Sequence, residues 1–150
     1  MTSDVLSLLQ TRWRAQGVKL RPGASEAEIE RFEGEKRVVL PRDFRSFLLA
    51  MNGMEEDEVD SDTQIRFWSL AEIRSVVEEL GGEVDCAEYD EQLFLFADYS
   101  LWAHGYAIRL AADPRETNVV AIVGGDAPVH AATSFSHFLE KYLEDPQQLF

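Results

Sequence analysis

Cys86 is the only cysteine among 150 residues, so no disulfide can form within the chain, as suits a reducing compartment. Long apolar runs are missing as well, and none approaches the roughly 20 residues that a helix needs to cross a bilayer. The opening stretch, MTSDVLSLLQTRWRAQ, has Asp4 where a secretory leader would carry positive charge, and its apolar residues are periodic rather than continuous. The expectation is a soluble, cytoplasmic protein. Histidine is scarce too: His104, His130 and His137 show no H-x-x-x-H spacing, and Cys86 has no C-x-x-C partner to help gather a metal. There is no G-x-S-x-G nucleophile elbow and no G-x-x-x-x-G-K-[ST] phosphate loop. Gly124-Gly125-Asp126 follows a strand-like run, but the helix that a phosphate site requires lies well beyond it. Neither an enzyme nor a metal or other cofactor is expected.

Positive charge is the remaining deficit. Lys and Arg number 14 against 28 Asp and Glu, for a net charge of −14. The excess is localised. Residues 55–91 hold fourteen acidic residues and two basic ones, whereas residues 1–54 hold seven and nine, and residues 92–150 hold seven and three. Such a field repels the phosphates of nucleic acid and anionic lipid, and it attracts a basic protein.

What is present suits one domain spanning residues 1–150. Val5, Leu8, Leu9 and Trp13 recur at helical spacing before Gly17. Ser25 and Glu28 form a capping box that opens a second helix, with Ile29 and Phe32 on its apolar face. Pro41 suits the first turn of a third, along which Phe44, Phe47, Leu48 and Met51 fall at i, i+3, i+4 and i+7 before Asn52-Gly53. QIRFWSL alternates like a strand, with Ile65 and Phe67 on one face. Ser69 and Glu72 form a second capping box, which predicts a helix through LAEIRSVVEEL with Ile73, Val76, Val77 and Leu80 buried. LFLFAD, GYAIRL and NVVAIVG read as antiparallel strands separated by turns. Phe135, Phe138, Leu139 and Tyr142 mark a closing helix ahead of Pro146. Helices first, a block of strands and a last helix predict an α+β fold in which helices cover a mainly antiparallel sheet.

Two acidic clusters are the candidate binding residues: Glu55, Glu56, Asp57, Glu58, Asp60 and Asp62, then Glu83, Asp85, Glu88, Asp90 and Glu91. A calcium loop does not fit the first. Counted from Glu56, it puts Ser61 at the required glycine and Phe67 at the final bidentate carboxylate; counted from Asp60, those positions fall on Ile65 and Ala71. A charge run is either a solvated loop or a surface for a partner, and residue identity leaves both readings open. Trp13 and Trp68 fall on apolar faces or at element junctions and read as core. Tyr99 and Trp102, with Leu101 between them, fall in a turn between strands, where an exposed aromatic serves as a binding anchor; a loop tucked back onto the sheet is the competing reading.

The IERFE helix leading to Leu40-Pro41, the DFRSFLLAMNG helix, the FWSLAEI step, the LFLFAD and GYAIRL strands and the closing SFSHFL segment occur in an order that resembles the SUKH superfamily. That group links fungal cell-wall assembly regulators to bacterial immunity proteins against polymorphic toxins. The resemblance spans most of the chain and implies an α+β binding domain. Its pattern is chiefly structural and carries over no catalytic residue. Bacterial members commonly neutralise a toxin, often a nuclease or deaminase, by occluding it; the expected partner is therefore a basic toxin domain. The alternative is an interaction module in cell-wall or signalling regulation, and an uncharacterised hydrolase is a third reading. The oligomeric state is not legible in these features. The sequence departs from the family pattern at DYSLWAHG, residues 98–105, where a more glycine-rich turn is expected.

Overall fold

The structure, a computed structural model, describes residues 3–80, 92–113, 115, 119–124 and 128–150. Helix α1 (Ser3–Ala15) buries Leu9 and Trp13 completely and stops ahead of Gly17, whose φ of 78° suits a residue without a Cβ. Leu8, expected in the core, is 58% exposed; the buried stripe is narrower than the run of leucines suggests. Helix α2 (Glu26–Lys36) starts on the expected capping box, in which the Ser25 hydroxyl accepts the Glu28 N–H and the Glu28 carboxylate accepts the Ser25 N–H. Helix α3 (Arg42–Ala50) begins after Pro41 and buries Phe44, Phe47 and Leu48. Beyond it, Gly53 takes φ 74°, and a Cβ there would lie 2.4 Å from the Trp68 carbonyl oxygen. Only glycine fits at that crossing.

Strands β1 (Ile65–Phe67) and β2 (Arg74–Ser75) both pair with one edge of β3 (Leu93–Tyr99), through Ile65–Tyr99 and Arg74–Leu95 respectively. The other edge of β3 carries β4 (His104–Arg109), followed in order by β5 (Val120–Val123) and β6 (Val129–Ala132), and every pairing is antiparallel. The register of β3 against β4 shifts between Leu95 and Ala97, which leaves Phe96 as an extra residue packed on Phe44, Phe135 and Phe138. Strand β6 was not expected; its four residues offer only Val129 and two alanines as apolar signal.

The predicted helix through residues 70–80 is a correction. Ser69 and Glu72 do close a turn, but Arg74 and Ser75 extend to pair with β3, and the helix, α4, covers only Val76–Leu80. Ser75, not Ser69, accepts the Glu78 N–H near its start. A sheet edge with open hydrogen-bonding groups outweighs local helix propensity here.

Helix α5 (Phe135–Glu144), capped by Ser134 and followed by a 3-10 turn Pro146–Leu149, buries Phe135, Phe138, Leu139 and Tyr142 as expected. Its first turn is tied to α3 by Asp43, which accepts the Ser136 N–H and hydroxyl, both at 2.8 Å. Rings from α1, α3, α5 and the sheet form one aromatic core, including Trp13–Phe67 at 5.2 Å, Phe47–Phe135 at 5.2 Å and Tyr106–Phe138 at 5.3 Å. The fold is α+β, an antiparallel sheet flanked by helices. Among the described residues, no helix is long and apolar enough to cross a membrane.

Candidate partner-binding surface

The first acidic cluster lies on the loop between α3 and β1, and tertiary structure splits it. Arg66 of β1 fixes the base of the loop by donating to the Met54 and Glu55 carbonyls, while its guanidinium grips both carboxylate oxygens of Glu72 at 2.9 Å. Burial alone would raise the Glu72 pKa, but the bonds from Arg66 and Ser69 outweigh it and hold the carboxyl below its usual value. Glu55 is exposed and lies 3.8 Å from Arg21. Glu56 and Asp57 face water, Glu58 is half-buried, and none of the three makes an ion pair among the described residues.

Asp60 corrects the reading of the cluster as one surface. It is completely buried and ties the loop to α1 and α5. Its carboxylate accepts bonds from Arg12 Nε at 2.8 Å, Trp13 Nε1 at 3.0 Å, Gln16 Nε2 at 3.0 Å and the Asp62 N–H at 2.9 Å, as well as from the Tyr142 hydroxyl. Burial pushes the Asp60 pKa up, yet the bonds from Tyr142, Arg12, Gln16 and Asp62 prevail and hold it well below the ordinary carboxylate range. A buried carboxylate is tolerable only when satisfied in this way. Asp62 is exposed but spent on Arg12, 3.6 Å away. The second cluster, Glu83, Asp85, Glu88, Asp90 and Glu91, lies outside the described residues.

The aromatic candidates also separate. Tyr99 is the last residue of β3 rather than part of the turn, and it is half-buried, with His104 stacked on it at 4.8 Å and Phe150 at 4.7 Å. Trp102 does lie in the turn, 38% exposed, with its ring edge-on to Trp68 at 5.7 Å. Leu101, which the sequence reading did not select, is 98% exposed. Ser100, Leu101 and Trp102 take φ of 47°, 55° and 74°, three consecutive left-handed residues without a glycine. Each costs about 1–3 kcal/mol, and persists only where its surroundings over-determine it.

Those surroundings are visible. Gln64 accepts the Ser100 N–H at 2.9 Å, Tyr99 accepts the Ala103 N–H at 2.8 Å, and Asp98 joins the Trp102 N–H at 3.2 Å to the Trp68 indole at 3.0 Å. Gly105 leaves room for the Trp102 ring, since a Cβ there would lie 3.1 Å from it and 2.8 Å from Leu95. A cleft of about 320 Å³ separates the turn from the acidic loop, lined by Glu56, Asp57, Glu58, Val59 and Leu101 among others. The structure thus brings Leu101 to a cleft lined by three of the six carboxylates of the first cluster, and Trp102 to one that it shares with Glu56. Asp98, Gly105 and Leu101 were missed; the sequence-level signal was the scarcity of glycine in a tight hairpin.

Among the described residues, no group of three or more His, Cys, Asp or Glu side chains is placed to hold a metal ion. His104 bonds the Tyr106 oxygen at 2.8 Å, and Tyr106 in turn donates to the Leu149 carbonyl at 2.9 Å, an arrangement that packs the end of the chain. Residues 23–141, from before α2 to within α5, match the SMI1 / KNR4 family (SUKH-1). The chain belongs to that family. SUKH-1 membership supports a protein-interaction role, in keeping with a surface of free carboxylates beside exposed apolar side chains. In this SUKH-1 chain, Arg12, Trp13, Gln16 and Tyr142 lie outside the matched span, whereas Asp60, which they surround, lies within it. No curated protein matches the chain.

Proposed function

We propose that this chain is a non-enzymatic, cytoplasmic immunity protein that neutralises a basic, nuclease-like toxin by binding and occluding it. The observation that carries the reading is the placement of Glu56, Asp57 and Glu58, which make no ion pair among the described residues, around a cleft with exposed Leu101, next to Trp102 in the same turn. A nuclease grips phosphate with Lys and Arg, so carboxylates presented by an inhibitor compete for the same groups and steer the encounter. Charge alone gives little net affinity at an exposed rim, and the adjoining apolar side chains supply the desolvated contact.

The test is co-expression with the toxin domain encoded beside this chain's gene. The expected outcome is rescue of growth and a complex with a dissociation constant of about nanomolar order, typical of a standard-size interface, weakening as salt rises. Absence of a neighbouring toxin, together with no protection against candidate toxins, would overturn the reading in favour of a scaffold role.

A further inference from the structure

Leu101 is the most exposed large apolar side chain among the described residues, well beyond Val129 at 61% and Leu8 at 58%. It is nearly fully exposed, its neighbour Trp102 is 38% exposed, and both stand in a turn held in a conformation that glycine would adopt without strain. Packing within this fold does not account for Leu101, which is 98% exposed. Yet the turn is pinned on three sides, by Gln64 at Ser100, by Asp98 at Trp102 and by the Trp68 ring. An exposed apolar side chain on a rigid mount loses little freedom when it docks, and that is the property of a preorganised anchor.

Resting on the function proposed above, we infer that the Ser100–Ala103 turn is a plug: Leu101 and Trp102 enter an apolar hollow in the partner, while Glu56, Asp57 and Glu58 meet Arg and Lys side chains around its mouth. Charge complementarity selects that occupant. A cleft lies on each side of the turn, about 320 Å³ towards the acidic loop and about 330 Å³ towards Trp68. Arg66, which lines both, and Arg74, which lines the second, are already paired with Glu72 and Glu79, and Asp98 is turned to the Trp68 indole and the Trp102 N–H. The exposed or half-buried carboxylates lining the clefts without an ion pair among the described residues are therefore Glu56, Asp57 and Glu58. A second copy of this chain would set like charges face to face, and a nucleic acid would be repelled.

The experiment measures binding of the neighbouring toxin domain to the full chain, to Leu101→Asp, and to the combined Glu56→Gln, Asp57→Asn, Glu58→Gln variant. Leu101→Asp is expected to keep its urea midpoint and to lose at least about 30-fold in affinity through faster dissociation, as a central anchor does. The carboxylate variant is expected to associate more slowly at low salt with little change in dissociation. Unaltered affinity of Leu101→Asp for a toxin that the parent binds would overturn the plug and leave the immunity reading standing; a parent that binds no toxin removes both. Self-association abolished by Leu101→Asp with toxin affinity unchanged would assign the turn to a dimer instead and would also overturn it.

Discussion

Asp57 and Asp60 are three residues apart in one acidic run, and the fold treats them oppositely. Asp57 faces water with no ion pair among the described residues, while Asp60 is enclosed by Arg12, Trp13, Gln16 and Tyr142. The enclosed carboxylate joins the two ends of the chain, because α1 and α5 reach it from either side. The exposed ones contribute little to the fold and remain available to a partner. A run of like charges is therefore not a single object, and what each member does depends on which cations the fold delivers to it. Here Arg12 and Arg21, from the basic N-terminal third, quench Asp60, Asp62 and Glu55, and among the described residues Glu56 to Glu58 make no ion pair.

The largest way to break this contrast is Asp60→Ala. It strands the Trp13 indole and the Tyr142 hydroxyl in the core and leaves Arg12 without its buried partner, and should cost about 3–5 kcal/mol in urea unfolding. A pH series separates the charge from the shape. Because folding depresses the Asp60 pKa, its contribution is present above the ordinary aspartate value and is lost as pH falls towards the folded one. The parent should lose stability below about pH 5, and Asp60→Asn should show a shallower acid slope. Some slope will remain, since Glu72 is shifted in the same sense.

At the exposed pole the effects shrink and change sign. Leu101→Gly relieves a left-handed residue and should raise stability by up to about 1 kcal/mol, whereas the same change in a β3 core position would be ruinous. Stabilisation on removing a wild-type side chain would show that Leu101 is maintained for something other than folding. Neutralising Glu56, Asp57 and Glu58 should move the urea midpoint by no more than about 0.5 kcal/mol per residue. A larger loss would mean that these carboxylates serve the fold, and the contrast with Asp60 would collapse.

Four of the helices and the strands β1, β3, β4 and β5 were legible because each rests on a local signal: the Ser25–Glu28 box, the Phe44–Phe47–Leu48 stripe, the alternation of Ile65 and Phe67. Where a non-local contact intervened, local reading failed. Arg74 and Ser75 look helical until β3 offers them a sheet edge, and β6 is too short and too poor in β-branched residues to announce itself. The candidate surface was half legible. Trp102 and the carboxylates were identified by type, but the exposure of Leu101, the grip of Asp98 on the turn and the burial of Asp60 depend on residues far away in the chain.

Residue order was sufficient for the α+β class, most of the core and the placement of excess acid in residues 55–91. Hydrophobic period and capping act over a few residues, so they can be read along the chain. Which carboxylates end up inside and which outside was settled by folding, because burial and ion pairing are properties of neighbours in space. Arg12 meets Asp60 across 48 residues, and Tyr142 meets it across 82.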